Sequence, residues 1–263
     1  MPEGGIVSLP QRPYPFPRNT HHPDFMSLAR FLTRLFRRRK PAAAPPEAPT
    51  FEAALHRLKG RNISVSTVID VGASNGCWSQ ALLPVYPQAR YLCVEAQRVH
   101  EPALRAFVTR HANAEFVLAA AGEAEGSIFF DASDPFGGIA SSTPLGRGGI
   151  TVPMITIDAQ VAARDLRPPF LIKLDTHGFE MPILAGAEQT LEQTNVLVIE
   201  AYNFDIASSA VRFAELCARL EARGFRCVDL FDVMYRPADN ALWQMDLIFI
   251  RADRPEFLSN AYA

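Results

Sequence analysis

TVIDVGASNG (residues 67–76) decides the fold, because it has the pattern of a buried strand followed at once by a glycine-containing turn. β-Branched side chains dominate its first five residues, which favours a strand. Gly72 and Gly76 allow the backbone to turn tightly. CWSQALLPVY (77–86) then has the apolar spacing of a helix. This strand–turn–helix unit predicts a layered α/β fold.

The same alternation of strands and helices continues along the chain. Further strands are predicted at 90–96, 114–122, 127–132, 151–158, 171–177 and 196–203. Helices are predicted at 51–60, 100–111, 180–193 and 208–224. This alternation predicts a doubly wound, largely parallel sheet with helices on both faces. The last two strands, 225–233 and 242–251, are joined only by the turn-like RPADN (236–240), which predicts an antiparallel pair.

Composition narrows the class of protein. The chain has 263 residues and is 48% hydrophobic, which suits one domain with extensions. Its net charge of −2 gives no sign of a nucleic-acid partner. The four cysteines lack CxxC spacing, so we expect reduced thiols in a cytoplasmic protein and neither a disulfide framework nor a zinc site. No apolar run approaches the roughly 20 residues needed to span a bilayer.

The first fifty residues differ from the rest, so we divide the chain into a leader (1–50) and a folded domain (51–263). The leader holds ten of the 21 prolines. Within it, SLARFLTRLFRRRK (27–40) has six basic residues and no acidic one. Two interpretations stay open: a solvated, flexible leader with a short helix, or a basic amphipathic helix on the inner membrane surface. We favour the flexible leader. The sequence leaves the oligomeric state open.

Polar residues cluster where the first two predicted strands end, which is where open α/β sheets bind ligands. Asp70, Gly72, Asn75 and Gly76 follow the first strand. Their GxxxG spacing suits a small anionic group better than a pyrophosphate. Glu95 ends the second strand, where a carboxylate can accept both hydroxyls of a ribose. Together the two strand ends predict a site for a nucleoside cofactor.

LIKLDTHGFE (171–180) places charged side chains on an otherwise apolar strand. A buried Lys173 needs a counter-charge, and we expect Glu200 or Asp246 to supply it. Asp175 and His177 lie at the ligand-binding end of the strand, and His177 could act as a general base near neutral pH. Asp175 and Glu200 could also share a divalent ion, but two carboxylates are a poor case for one, so no metal is predicted.

The order of these motifs resembles that of the FkbM-type methyltransferases. The resemblance covers about residues 65–251 and rests on VIDVGASNG, VEA, the Ser141–Ser142 pair, LIKLDTHGFEMPILAGAEQTL, VLVIEAYN and WQMDLIFI. It implies a class I methyltransferase (Rossmann-like) fold, with seven strands ordered 3-2-1-4-5-7-6 and the seventh antiparallel. It also implies S-adenosylmethionine as cofactor.

The same resemblance implies roles for individual residues. Asp70, Gly72, Asn75 and Gly76 would match the loop around the methionine moiety, and Glu95 would match the ribose-binding acid. Ala120 and Ala121 would contact the adenine, and Asp175 would lie beside the methyl-transfer site. The family commonly has glutamine or glutamate where this chain has His177, which puts a general role of His177 as base in doubt.

Family resemblance further implies O-methylation of a hydroxyl on a sugar, a glycan or a small natural product. Two alternatives stay open: an NAD-dependent oxidoreductase, and a non-catalytic nucleoside-binding protein of the same fold. The GxxxG spacing and the terminal strand pair argue against the oxidoreductase. The glycine-rich segment 133–149 is a lid over the site, a substrate-selecting loop or a disordered loop.

Overall fold

A computed structural model describes residues 49–146 and 149–262. The predicted basic segment 27–40 and the rest of the leader before residue 49 lie outside these residues. Seven helices are described: α1 Phe51–Gly60, α2 Cys77–Leu82, α3 Glu101–Arg110, α4 Ile157–Ala163, α5 Glu180–Ala185, α6 Glu188–Glu192 and α7 Phe213–Glu221. In the described part of the chain, no helix has both the length and the apolar character needed to cross a membrane.

Eleven strands are described for the same residues. They are β1 Thr67–Val71, β2 Arg90–Glu95, β3 Ala114–Leu118, β4 Ala120–Ala121, β5 Gly126–Asp131, β6 Ile139–Ser141, β7 Gly149–Ile155, β8 Phe170–Leu174, β9 Thr194–Tyr202, β10 Phe225–Tyr235 and β11 Leu242–Arg251.

Seven of these strands form the central sheet, in the order β3-β2-β1-β8-β9-β11-β10. The β1–β2, β2–β3, β1–β8 and β8–β9 pairs are parallel, whereas β11 runs antiparallel to both β9 and β10. Counted along the chain within this sheet, the strands follow the predicted order 3-2-1-4-5-7-6. The predicted terminal hairpin is confirmed, because only a short turn separates β10 from β11.

A second sheet lies beside the first, in the order β4-β7-β5-β6. The predicted strand 114–122 is divided between the two sheets, since β3 pairs with β2 and β4 pairs with β7. The predicted strand 151–158 ends early, at Ile155. Thr156 instead caps α4, and its side chain accepts a hydrogen bond from the Ala159 amide at 3.1 Å.

The predicted helix 180–193 is two short helices that break at Gly186. A β-carbon on Gly186 would lie 2.0 Å from the Gly122 carbonyl oxygen, so the two backbones approach more closely than any side chain allows. The apolar core lies on both faces of the central sheet. Ile69, Ile172 and Ile199 belong to one buried cluster, and Val68 and Leu171 belong to a cluster on the opposite face. This packing fixes the strands whose ends carry the site.

Candidate cofactor and methyl-transfer site

The turn after β1 approaches the turn after β8 closely. Gly72 has φ +73°, and a β-carbon there would lie 2.0 Å from the Asp175 carbonyl oxygen. Gly76 has φ +81° and precedes α2 as its N-cap residue. Asn75 is exposed, and its side-chain oxygen accepts a hydrogen bond from the Cys77 amide at 3.1 Å. The sequence pattern therefore corresponds to a compact turn at the carboxyl edge of the sheet.

Asp70 lies behind this turn, with its side chain fully buried. The Ser79 hydroxyl donates to its Oδ2 at 2.6 Å, and the Lys173 ammonium is 3.3 Å from its Oδ1. Asp70 is a predicted cofactor residue, but its carboxylate has no exposed surface for a ligand. In this structure it holds Ser79 and Lys173 in place.

Glu95 joins the first two strand ends. Its carboxylate accepts hydrogen bonds from the Ser74 amide and the Gln97 amide, each at 2.7 Å. Burial raises the pKa of Glu95, and these two amides and the nearby His100 oppose that rise. A carboxylate has about four acceptor positions, so two remain for hydroxyl donors beyond the two amides. Glu95 thus fixes the turn while keeping capacity for a ligand.

Lys173 forms ion pairs with Asp70 and Asp175 instead of the predicted Glu200 or Asp246. Its ammonium lies 3.3 Å from each of the two carboxylates. The register explains the difference, because Asp70 of β1 is directly beside Lys173, whereas β9 places Val198 at that position. Burial would lower the pKa of Lys173, but Asp70, Asp175 and the more distant Asp246 together raise it. Lys173 is therefore held as a buried cation.

Asp175, His177 and Glu200 meet at the ends of β8 and β9. His177 Nε2 lies 3.6 Å from Asp175 Oδ1 and 3.5 Å from Glu200 Oε2. Glu200 is fully buried and accepts hydrogen bonds from the Tyr202 hydroxyl and the Gln244 amide, each at 2.6 Å. The structure thus brings the two predicted catalytic residues together and adds Glu200 to them.

His177 has φ +53°, a left-handed conformation that is uncommon for residues other than glycine. Its ring lies edge-on to Tyr202, with centroids 6.5 Å apart, and its Nδ1 is 3.1 Å from the Gly138 carbonyl oxygen. A carbonyl oxygen only accepts hydrogen bonds, so Nδ1 must carry a proton. The other nitrogen, Nε2, therefore faces the two carboxylates.

The predicted lid segment lies across this edge of the sheet. The Gln97 side-chain amide donates to the carbonyl oxygens of Asp134 and Pro135 at 3.0 and 3.1 Å. His100 Nε2 is 2.7 Å from the Pro135 oxygen. Together with the His177 contact to Gly138, these bonds join residues 134–138 to the ends of both β2 and β8.

The predicted adenine contacts, Ala120 and Ala121, form β4 and are buried. They pair with Met154 and Ile155 of β7 in the second sheet. Their small side chains follow directly after β3, whose neighbour β2 carries Glu95. The structure therefore places the other predicted residues beside the carboxyl ends of β1, β2, β3 and β8, with Asp70 buried behind them.

Sequence reasoning missed several residues of this region. Gln97 and His100, which contact residues 134–138, gave no signal, because a polar residue after a strand or at the start of a helix is common. Tyr202 and Gln244, which contact Glu200, were also missed. The only sign in the sequence was Glu200 itself, an acid in an otherwise apolar strand. Glu180 begins α5 as predicted, and its carboxylate also accepts from the Gly178 amide and the Thr176 hydroxyl.

The strand order, the glycine turn after the first strand and the acid ending the second define a class I methyltransferase. This topology, with its antiparallel strand beside the edge, differs from the all-parallel order typical of dinucleotide-binding dehydrogenases. The chain belongs to the FkbM methyltransferase family: the model of the methyltransferase FkbM domain matches residues 70–227, more than half of the chain. A search of curated proteins found no match.

Solved structures of methyltransferases resemble the chain at low identity. Methyltransferase FkbM from Methylobacillus flagellatus KT is 18% identical with a TM-score of 0.46, over 69% of this chain but only 43% of that protein. A putative tRNA (m1A22) methyltransferase from Streptococcus pneumoniae, solved with S-adenosyl-L-methionine, is 12% identical with a TM-score of 0.43, over 75% and 72% of the two chains. Methanococcus jannaschii fibrillarin is 14% identical with a TM-score of 0.46, over 77% and 75%.

Proposed function

We propose that the protein uses S-adenosylmethionine to methylate a hydroxyl oxygen on a sugar, a glycan or a small natural product. Membership of the FkbM family supports methyl transfer. The observation that carries the cofactor assignment is the Glu95 carboxylate, which binds the Ser74 amide of the glycine turn at 2.7 Å. This bond joins the two strand ends that would hold the methionine and ribose parts of the cofactor.

Three groups of residues at the carboxyl ends of the strands have separate roles in this proposal. The turn at Gly72 and Gly76 gives the methionine moiety close access to the backbone. Glu95 accepts hydrogen bonds from the ribose hydroxyls. Ala120 and Ala121 leave space for a flat base beside the second sheet, because their side chains are small. The residues 134–138 cover the edge and limit the access of water.

Asp175 and His177 lie at the opposite end of the edge, where we place the acceptor. The bound cofactor supplies an activated methyl group: its carbon–sulfur bond breaks as the carbon–oxygen bond forms, and the acceptor hydroxyl loses its proton. His177 Nε2 is the atom of this pair that can take up the proton, provided that the hydroxyl reaches it beside the carboxylates of Asp175 and Glu200. Asp175 orients the imidazole and the acceptor.

Calorimetry with S-adenosylhomocysteine tests the proposed cofactor on the full-length chain. Glu95→Gln should weaken binding by about ten- to a hundredfold, because a charged acceptor of two hydroxyls contributes about 1.5–3 kcal/mol. Glu192→Gln, at an exposed position on α6, is the matched control and should bind as the wild type does. Absence of binding at millimolar ligand, or tighter binding of NAD, would refute the proposal.

The acceptor class needs a separate experiment. Purified enzyme and S-adenosylmethionine carrying a deuterated methyl group are incubated with panels of glycans and hydroxylated natural products, and mass spectrometry detects the label. We expect the label on oxygen. His177→Ala should reduce turnover while leaving S-adenosylhomocysteine affinity unchanged, and unchanged turnover in this variant would remove His177 as the proton acceptor.

A further inference from the structure

Three side chains from two neighbouring strand ends present metal-binding atoms to one another. The imidazole of His177 and the carboxylates of Asp175 and Glu200 each offer one atom, and these atoms all lie within 4.8 Å of one another. His177 Nε2 is 3.5 Å from Glu200 Oε2 and 3.6 Å from Asp175 Oδ1. The set therefore combines one nitrogen and two oxygens around a common centre.

The protonation of His177 makes this arrangement unusual. Its Nδ1 must donate to the Gly138 carbonyl oxygen, so the neutral imidazole has its lone pair on Nε2. That lone pair then faces two carboxylates, which are also acceptors. The Lys173 ammonium contacts the other oxygen of Asp175. Between the three atoms themselves, positive charge would come from a second proton on the imidazole or from a cation.

Distances favour the cation over the proton. A charge-assisted hydrogen bond from an imidazolium to a carboxylate has a length of about 2.7–2.9 Å, and one N–H points at one acceptor. The two observed distances are longer and nearly equal. Ligands bound to one ion at about 2.0–2.2 Å are roughly 3.0–3.5 Å apart when they are adjacent in its coordination sphere. The observed separations lie close to that range.

Outside the three ligands, neighbouring groups orient each of them. An N–H···O=C bond from Nδ1, as His177 makes to Gly138, is the usual way in which a metal-binding histidine is fixed. The Tyr202 hydroxyl and the Gln244 amide hold Glu200, and Lys173 holds Asp175. Lys173 contacts Asp175 Oδ2, whereas Oδ1 faces His177. The Tyr202 hydroxyl donates to Glu200 Oε2, the oxygen that also faces His177, and a carboxylate oxygen has a second lone pair for an ion.

Buried acids near the cluster also favour a cation there. Asp246 lies directly opposite Glu200 on the neighbouring antiparallel strand, so the two acids share one face of the sheet. Both are at least nine-tenths buried, as is Asp70 further along the same face. Like charges in these positions repel one another, and burial makes the repulsion stronger. Lys173 offsets part of this repulsion through Asp70 and Asp246, and a divalent ion at the end of β9 would add positive charge beside Glu200.

We propose that Asp175, His177 and Glu200 bind a divalent first-row ion such as Mn²⁺ or Zn²⁺. Mixed nitrogen and oxygen ligands suit such ions better than they suit Ca²⁺. Three protein ligands leave coordination positions open for a substrate oxygen. Under the proposed function, on which this role rests, the ion would hold the acceptor hydroxyl oxygen and lower its pKa. With Nε2 bound to the ion, the proton would pass to water, and His177 would act as a ligand in place of the base.

Binding of Mn²⁺ to the full-length chain, after treatment with a chelator and without cofactor or acceptor, tests the site directly. Electron paramagnetic resonance reports the bound fraction, and electron spin echo modulation detects a coordinated ¹⁴N. We expect one Mn²⁺ per chain with a ¹⁴N coupling, and displacement of this Mn²⁺ by Zn²⁺. The isosteric variants Asp175→Asn and Glu200→Gln should each bind at least tenfold more weakly. His177→Gln should also lose the ¹⁴N coupling.

His111→Gln, a histidine on the surface beside Gln80, is the matched control and should keep both the affinity and the coupling. Circular dichroism of each variant separates loss of the site from loss of the fold. Wild-type binding no tighter than that of His177→Gln, or bound Mn²⁺ without a ¹⁴N coupling, would overturn the proposal and leave His177 as an imidazolium between two acids. Because the cofactor is absent, either result is independent of the S-adenosylhomocysteine experiment.

Discussion

Replacing Lys173 by methionine removes the charge of that side chain and shortens it by one atom. In the native protein the ammonium lies 3.3 Å from Asp70, 3.3 Å from Asp175 and 3.1 Å from the Gly72 carbonyl oxygen. It also lies 5.7 Å from the centre of the Trp78 ring. Methionine fills a similar volume, so the expected effect is electrostatic.

Asp175 and Asp70 differ in how well they are solvated once the Lys173 ammonium is removed. Asp175 is partly exposed, with 21% of its side-chain surface accessible, so water can solvate it after the substitution. Asp70 has no exposed surface and keeps only the Ser79 hydroxyl within 2.6 Å. Removing one partner of a buried ion pair typically costs about 3–5 kcal/mol, because the remaining charge is neither paired nor hydrated. We expect Lys173→Met to lower the free energy of unfolding by this amount.

Urea unfolding, followed by tryptophan fluorescence and circular dichroism, measures that loss. The double variant Asp70→Asn/Lys173→Met has no unpaired charge at Asp70 and should be more stable than Lys173→Met alone by at least about 1 kcal/mol. A Lys173→Met protein within about 1 kcal/mol of the wild type would refute this reasoning. So would a double variant whose two losses simply add.

Two further substitutions test the turn at the site and the buried acid of α5. Gly72→Ala should lower the free energy of unfolding by more than about 1–2 kcal/mol, because its left-handed φ alone costs that much and its β-carbon would meet the Asp175 carbonyl. Gly60→Ala has no neighbour within 4 Å and should be neutral or slightly stabilising in the same urea assay; equal losses in both would contradict the argument. Burial raises the pKa of Glu180, so its contribution to stability is complete below its unfolded pKa of about 4.3 and is lost as the pH rises through the folded value. The free energy of unfolding of the wild type relative to Glu180→Gln should therefore fall from pH 4 towards neutrality, and a constant difference would contradict this.

The sequence predicts the strands and the positions of Gly72, Glu95 and Asp175 because each depends on local pattern. Short, continuously apolar runs and the turns after them mark the strand ends, and the carboxyl ends of parallel strands lie on the same side of the sheet. The partner of Lys173 could not be predicted in this way. It depends on which residue of a neighbouring strand lies beside Lys173, and that register is set by packing between strands more than 100 residues apart.

The contacts made by residues 134–138 could not be predicted from the sequence either. Gly138 approaches the Phe130 ring so closely that a β-carbon would lie 2.5 Å from it. This approach positions the Gly138 carbonyl beside His177. Nothing in a glycine-rich loop indicates such a contact, since the same composition suits a mobile loop. The sequence alone therefore leaves a lid, a substrate-selecting loop and a disordered loop as alternatives.

The topological switch point of the sheet explains why the glycine turn, Glu95 and the charged ends of β8 and β9 lie close together. β1 continues to β2 on one side, whereas β8 lies on its other side, so a crevice opens between the loops that follow β1 and β8. Gly72 brings those loops into contact at the base of the crevice, and residues 134–138 cover it from Gln97 to His177. In the proposed function, a cofactor held by Glu95 extends under residues 134–138 towards Asp175, His177 and Glu200. The proposal therefore puts the meeting point of cofactor and acceptor at the charged ends of β8 and β9.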